Sequence, residues 1–278
     1  MKACAGVGAG GAVTAAGFGM LQPVSDVGVE IVNISYPGMR VLPGSPAPYG
    51  LPLIPLEITD DGILRGRPDA AEDQLKWYKY CSHERAPGTF QGFESDNVLR
   101  YDVSEEKVAK GFDAWFTEHI DEEVHYSDFP KDTPDEQWEG YPGSGAAFRW
   151  RSEGVEPESK ISGIIVRAPK EELGFMSTVP TPIADEIREG WFPEHPDDPD
   201  DIFMACCSFC THFCCVPDFH TAELAISSGY GDTIFCTCHL SRYDPFQIET
   251  YNRTIFEYPD AGPGGGGGGG GGEGGGGH

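Results

Sequence analysis

Alternating apolar and polar positions along this chain predict a protein built mainly from β-strands. Branched and aromatic residues recur with a period of two, or in short apolar runs, and Pro or Gly bounds most of these segments. The run LPLIPLEI (51–58) is predicted as an edge strand, because its prolines cannot donate to a central ladder. The other predicted strands are 27–34 (VGVEIVNI), 161–168 (ISGIIVRA), 201–206 (DIFMAC), 233–236 (TIFC) and 253–258 (RTIFEY).

Two segments instead show the period of an amphipathic helix. One is predicted to begin at Asp69, where Glu72 completes a capping box before the run LKWYKY. The other is predicted over 104–120, where apolar residues at 108, 112, 115, 116 and 120 form one stripe. The Pro-rich and acidic stretch 126–160 is predicted as a loop, and residues 69–160 together are interpreted as a partly helical insertion.

The two termini differ in composition from the region between them. Residues 3–25 carry no charge and are long enough to span a bilayer, but they are poor in Leu, Ile and Phe. A membrane anchor, a secretory signal and a flexible leader all remain open for residues 1–26. The Gly-rich tail, 263–278, cannot bury apolar surface and is predicted to be disordered.

The charge of the chain narrows its possible partners and its setting. Lys plus Arg total 19 against 45 Asp plus Glu, a formal net charge of −26. This balance argues against a general role in nucleic-acid binding, which requires basic surfaces. Self-repulsion of this size is reduced by salt screening, so the composition favours a very salty environment.

Cysteine and histidine are concentrated in two short runs, CTHFCC (210–215) and CTCHLSRYD (236–244). Each run places a Cys and a His close enough to face one metal centre. Thiolate and imidazole together suit zinc, iron, or a [2Fe–2S] cluster with two His on one iron. Seven of the nine cysteines lie between 206 and 238, whereas Cys4 and Cys81 are isolated. His83, His119 and His125 are interpreted as structural or solvated. His195 and His220 lie within reach of the site in sequence, and His220 could compete as a ligand, but the spacing of the two runs already supplies two His.

The two runs resemble the cluster-binding boxes of Rieske iron–sulfur proteins of cytochrome bc-type quinol oxidoreductases, in the pattern C-x-H-x-x-C followed by C-x-C-H-x-S-x-Y-D. The resemblance implies a [2Fe–2S] cluster with Cys210 and Cys236 on one iron and His212 and His239 on the other. It further implies a disulfide between Cys215 and Cys238, and hydroxyl donors to sulfur at Ser241 and Tyr243.

The chain departs from the family pattern at three positions. Cys214 stands where the family usually has Gly before the disulfide Cys, and Thr237 and Leu240 replace a Pro and a Gly around the Cys-His pair of the second box. The replacement of the Pro and the Gly bears on the backbone conformation of the second box and leaves the set of ligands unchanged. Cys206, Cys207 and Cys214 are additional thiols, so Cys214 is an alternative to Cys215 in the disulfide.

The fold that the resemblance implies is mainly β, with an antiparallel base domain over 27–262 and a small cluster-binding subdomain at about 202–246. The implied function is electron transfer from a quinol to a cytochrome or blue-copper carrier, within a membrane-bound complex that contains a cytochrome b-like subunit. His239 would receive the quinol proton, on the extracytoplasmic face. The alternatives are a soluble Rieske ferredoxin that serves an oxygenase and a zinc-stabilised interaction protein, for which Cys207-x-x-Cys210 offers a pair of ligands.

Overall fold

The computed structural model describes residues 30–67, 97–150 and 161–257, and these segments are mainly β, as the sequence predicts. Within them the strands are β1 Glu30–Val41, β2 Leu51–Ile54, β3 Leu56–Ile58, β4 Leu64–Gly66, β5 Leu99–Tyr101, β6 Ser144–Trp150, β7 Ile161–Pro169, β8 Gly174–Phe175, β9 Glu194–His195, β10 Asp198–Cys207, β11 Ile234–Cys236 and β12 Ser241–Glu257. The helices are α1 Glu105–Ala109, α2 Thr181–Gly190 and α3 Glu223–Ser227, with 3₁₀ turns at Tyr126–Asp128, Glu136–Trp138 and Lys170–Glu172.

Ten of these strands form one curled sheet, in the order β11-β12-β1-β2-β10-β7-β6-β5, with β8 beside β12 and β9 beside β10. The described strand pairs are antiparallel except for β8 with β12. The longest pairing joins β1 to β12 and runs from Glu30 opposite Glu257 to Val41 opposite Tyr243. The start of β12 is thereby fixed to the first long strand of the chain. Strands β3 and β4 form a separate two-stranded sheet.

Strand β2 corrects the prediction of an edge strand, because it lies between β1 and β10. Its first half, Leu51 and Pro52, pairs with β1, whereas its second half, Leu53 and Ile54, pairs with β10. Each half therefore has one ladder partner. Proline is tolerated in this interior strand because Pro52 is not required to bond on both sides.

The predicted helix over 104–120 is largely wrong, since α1 contains only five residues. Ser104 caps its start as expected, with its hydroxyl accepting from the Lys107 N–H. Gly111 adopts a φ of 91° and donates to Val108 O, and Phe112 N donates to Lys107 O, which is the hydrogen-bond pattern of a Schellman ending. Most of the apolar residues of the predicted stripe instead lie in the turns after α1. Phe116 is fully buried there, and Phe112, Trp115 and Ile120 pack against the same core.

Residues 97–150 extend the sheet, and the part of the predicted insertion that the structure describes is not chiefly helical. Strand β6 pairs with β7 along its length, and β5 pairs with β6. Part of the predicted loop over 126–160 is therefore strand. The predicted helix from Asp69, the Cys81-x-His83 pair, the N-terminal anchor at 1–26 and the tail at 263–278 lie outside the described residues. Among the described helices, none has the length and apolar content that crossing a membrane requires.

Both faces of the central strands are covered, and β10 illustrates how. Its residues alternate between two cores: Ile202, Met204 and Cys206 pack on one side, and Phe203, Ala205 and Cys207 on the other. Burial raises the pKa of the Cys206 thiol well above its usual value. Cys206 and Cys207 are thus packed within the two cores of the sheet. Cys207 and Cys210, the C-x-x-C pair, pack in different cores.

Candidate metal centre

The two Cys/His runs form two loops that follow different strands of the sheet, with β1 and β2 between β10 and β12. We name Cys210–Cys215 the first loop, reached from β10, and Cys236–Leu240 the second loop, which joins β11 to β12. In the first loop, Cys214 N donates to Cys210 O over 2.8 Å. In the second, Leu240 N donates to Cys236 O over 2.9 Å. Each loop therefore begins at a buried Cys whose carbonyl accepts a hydrogen bond from the N–H four residues later.

The last residue of each closing turn has a left-handed backbone. Cys214 and Leu240 both have a φ of 62°, a region that costs an L-residue roughly 1–2 kcal/mol. These are the two positions at which the resembled family usually has Gly. The chain thus departs from that pattern in its side chains, while the backbone keeps a conformation that glycine favours.

A disulfide joins the two loops through Cys215 and Cys238, whose Cα atoms are 6.5 Å apart. This is the pair that the family resemblance implies, and Cys215 rather than Cys214 bonds to Cys238. The expectation that Cys214 is an additional free thiol is wrong, because Cys214 is itself disulfide-bonded. The first loop is closed further by Cys210 N, which donates to Cys215 O over 2.8 Å. The disulfide sulfur is thereby held close to the buried thiol at the start of the same loop.

The sulfurs of Cys210 and Cys236 lie at the buried side of the site, with relative exposures of 1% and 0%. A hydrogen bond from the Cys236 thiol, aided by the Ser241 and Tyr243 hydroxyls, lowers the pKa of Cys210 to about 4. The same pairing raises the pKa of Cys236, and burial raises it further. The Cys210 sulfur is therefore the more readily deprotonated of the pair, and the thiolate is the form of cysteine that binds a metal cation.

Tyr243 is the residue that connects the buried sulfur to the sheet. Its hydroxyl donates to Cys210 Sγ over 3.2 Å and accepts from Thr211 N, also over 3.2 Å. Desolvation, together with the neighbouring Cys210 sulfur, raises the pKa of Tyr243, so it remains a donor. Ser241 is also fully buried, and its hydroxyl is near enough to help lower the pKa of Cys210, but its Oγ makes no hydrogen bond within ordinary distance and angle limits among the described residues. The two hydroxyls therefore differ in how directly they reach sulfur.

The two histidines lie on the outer side of the site. The rings of His212 and His239 are 4.9 Å apart between centroids and nearly perpendicular. His212 Nδ1 is buried and has no hydrogen-bond partner in the described part of the chain, whereas His239 is exposed. A buried imidazole nitrogen without a hydrogen-bond partner is suited to bind a metal ion.

Exposed apolar side chains, which we name the apolar rim, occur in and next to the two loops that carry the imidazoles. Phe213 and Leu240 are 65% and 51% exposed, and Val216, just beyond the first loop, is 45% exposed. The Phe213 ring lies 4.3 Å from His212 and 5.1 Å from His239, measured between centroids. Large exposed apolar side chains beside polar ones are typical of a surface that contacts an apolar partner or ligand.

A second group of ligand atoms overlaps the first. The sulfurs of Cys215, Cys236 and Cys238 all lie within 4.8 Å of one another and could hold a metal ion. Two of these sulfurs are joined in the disulfide. While that bond is intact, Cys236 is the one member of this group that can offer a thiolate.

His220 and His195 are buried and pack elsewhere, away from the pair formed by His212 and His239. The His220 ring stacks between Phe219, at 3.8 Å, and Trp138, at 4.7 Å. Its burial lowers the pKa to about 4. His195 is buried as well, stacks on Phe203 and accepts from Asp197 N. His119 pairs with Glu122, and His125 accepts from Ser127 N in capping a 3₁₀ turn.

Sequence reasoning did not find Thr211, which anchors the first loop. Its Oγ1 donates to Tyr49 O over 2.5 Å and accepts from Tyr49 N over 3.3 Å. The partner lies 162 positions earlier in the chain, so no local pattern could reveal it. The available signal was its place between two proposed ligands.

No family model, curated protein or solved structure matches this chain. The functional argument therefore depends on the residues of the site and their geometry.

Proposed function

We propose that this protein transfers electrons through a Rieske-type [2Fe–2S] cluster. Cys210 and Cys236 would hold one iron, and His212 and His239 the other. The observation that carries the proposal is the division of the donor set: two adjacent buried sulfurs on the inner side, and two adjacent imidazoles on the outer side, one from each loop. When bound, the cluster supplies a one-electron redox couple.

The residues around the donor set support a high-potential cluster. Tyr243 O–H donates to Cys210 Sγ, and donors to sulfur stabilise the reduced, more negative state more than the oxidised one. The Cys215–Cys238 disulfide also distinguishes this site from a soluble Rieske ferredoxin of the oxygenase type, for which the two disulfide cysteines and the Tyr are not expected.

We further propose that the donor is a quinol. His239 is the exposed imidazole and would accept the quinol's hydrogen bond and then its proton, while the apolar rim of Phe213 and Leu240 excludes water from the contact. The quinol site would be shared with a cytochrome b-like membrane subunit. The electron would pass on to a cytochrome or blue-copper carrier, with this protein's folded part on the extracytoplasmic face.

Reconstitution with iron and sulfide followed by EPR of the dithionite-reduced protein tests the cluster. We expect a [2Fe–2S] signal with strong nitrogen hyperfine coupling, because two imidazoles would bind one iron. Cys210→Ser, His212→Ala, Cys236→Ser and His239→Ala should each abolish this signal.

His220→Phe is the matched control, since it removes an imidazole in the segment between the loops but keeps the aromatic stack. It should leave the signal intact. A cluster that survives His212→Ala but is lost in His220→Phe would overturn the ligand assignment. A reduced signal without nitrogen coupling would overturn the Rieske type.

Quinol oxidation is tested separately by membrane fractions in which the protein copurifies with a b-type cytochrome. Phe213→Asp, which changes the apolar side chain beside both imidazoles but no proposed ligand, should abolish quinol-driven reduction of the acceptor and leave the EPR signal intact. A chain that reduces an oxygenase and copurifies with no b-type cytochrome would contradict the quinol assignment while leaving the cluster assignment intact.

A further inference from the structure

The sulfur atoms of this site outnumber those that the proposed cluster uses. Cys236 Sγ lies within 4.8 Å of both Cys215 Sγ and Cys238 Sγ, and it also hydrogen-bonds to the Cys210 sulfur. Cys236 is thus the centre of a contiguous group of four sulfurs. Two members of that group are locked in a disulfide, and their ligand capacity depends on its redox state.

Reduction would convert the disulfide pair into ligands. A dithiol supplies two electrons and two protons: the Cys215–Cys238 bond breaks, each sulfur becomes a thiol, and the dithiol is itself oxidised to a disulfide. Three thiols then stand within 4.8 Å of one another on the two loops. Zinc binds thiolate sulfur at about 2.3 Å in tetrahedral sites, which places two such sulfurs about 3.8 Å apart. The movement required is small.

The surroundings of these sulfurs allow a cation to enter and be held. Cys238 is exposed and Cys215 is half-buried, whereas Cys236 is fully buried. The C-x-C spacing puts two of the ligands on one loop, whose turn is closed by Leu240 N on Cys236 O. A chain with a formal net charge of −26 also attracts divalent cations.

We infer that the disulfide-reduced protein has a thiolate site for Zn²⁺ or another thiophilic divalent cation, formed by Cys215, Cys236 and Cys238. The thiols release their protons as the metal binds. Because Cys236 belongs both to this site and to the proposed Rieske donor set, the two metal groups exclude one another. The disulfide therefore selects which of them the protein can hold.

This inference does not require the proposed Rieske function, because neither His212 nor His239 takes part in the thiolate site. The two hypotheses consequently predict different sets of essential residues. Loss of either histidine should leave zinc binding unchanged and abolish the iron–sulfur cluster, whereas loss of Cys215 or Cys238 should abolish zinc binding in the reduced protein.

The test uses the full chain carrying His212→Ala and His239→Ala, because the wild-type protein with its disulfide intact still offers two Cys and two His as ligands for Zn²⁺ or Co²⁺. This protein is freed of metal by a chelator and measured either with the disulfide intact or after treatment with a phosphine reductant. Co²⁺ is the spectroscopic probe, and retained Zn²⁺ is quantified after gel filtration. We expect about one equivalent of tightly held metal, with thiolate-to-metal charge-transfer absorption, in the reduced protein alone. Oxidation that restores the disulfide should release it. Equal binding in both redox states would overturn the inference.

Variants assign the ligands, and a wild-type measurement covers the case in which they fail to fold. Cys215→Ser and Cys238→Ser should lose the charge-transfer band, and His212→Ala and His239→Ala should keep it. In reduced wild-type protein, Zn²⁺ should protect Cys215, Cys236 and Cys238 from alkylation, as read by mass spectrometry. Alkylation of Cys215 and Cys238 at the same rate with and without Zn²⁺ would also overturn the inference.

Discussion

The two loops of the candidate metal centre share a backbone design but differ in what holds them. In each, the carbonyl of a buried Cys accepts from the N–H four residues on, and that fourth residue has a φ of 62°. The first loop is fixed to the body of the protein by Thr211, which bonds both Tyr49 and Tyr243. In the second loop, residues 237–240 are exposed.

This difference explains where a covalent link is most useful. A loop that is hydrogen-bonded to the sheet keeps its position without a crosslink. An exposed loop gains little from burial and must be restrained in another way. The Cys215–Cys238 disulfide ties the exposed loop to the anchored one, so that the two imidazoles lie side by side.

Removing the disulfide should break this arrangement with the largest effect. The bond spans a sequence separation of 23 residues, and closing a loop of that size stabilises by about 3 kcal/mol in the chain-entropy model. Cys215→Ser with Cys238→Ser should therefore lower the free energy of unfolding by about 3 kcal/mol in denaturant titrations. The controls are the single variants Cys215→Ser and Cys238→Ser, each of which removes the same bond and should match the double variant. A double variant as stable as oxidised wild type would show that the loops hold each other without the bond.

The segment between the loops should make stability depend on pH through His220. The pKa of this residue is lowered to about 4 by burial, against about 6.5 in the unfolded chain. The folded state therefore binds fewer protons, and this contribution is complete above pH 6.5 and is lost as the pH falls towards 4. Between pH 7 and 4, wild type should lose about 3 kcal/mol more than His220→Phe. Parallel pH profiles of the two proteins would show that the imidazole is not buried as a neutral group.

A change of Leu240, whose backbone is left-handed, to glycine should have a smaller effect and should increase stability. Leu240→Gly removes the steric cost of a positive φ, although glycine adds entropy to the unfolded chain, so the net gain should be about 0.5–1 kcal/mol. Leu240→Val should instead destabilise, because branching at Cβ worsens the clash. Leu224, 46% exposed in α3, is the matched control, and Leu224→Gly should lose about 1 kcal/mol. Thermal unfolding separates the three variants. Destabilisation by both glycine variants would contradict the left-handed turn.

The smallest predicted effect compares the two hydroxyls near the buried sulfurs. Tyr243 donates to Cys210 Sγ over 3.2 Å, and losing a donor that favours the reduced state by about 1 kcal/mol corresponds to about 40 mV for one electron. Tyr243→Phe should lower the reduction potential of the proposed cluster by about 40 mV. Ser241→Ala should lower it by less, because Ser241 Oγ has no such bond among the described residues. Voltammetry decides between them, and an unchanged potential in Tyr243→Phe would remove the main support for a high-potential site.

The sequence by itself determined the class of fold and the candidate ligands. Residues 161–168 were recognisable as a strand because β7 lies inside the sheet and needs apolar side chains on both faces. Residues 201–206 and 233–236 were found for a similar reason, and each leads into one of the two loops. Local composition carries this information, since burial and strand period act residue by residue.

Only the tertiary structure decided the features that join distant parts of the chain. The helix predicted over 104–120 ends early, because Gly111 takes a positive φ. Phe116 is then buried against the sheet from a turn. Leu53 and Pro52 found different neighbours because β2 connects two parts of the sheet. The proximity of Cys236 to Cys215 and Cys238, like the bond from Thr211 to Tyr49, depends on how separate strands pair. Such contacts follow from the packing of the whole sheet, and residue spacing alone does not contain them.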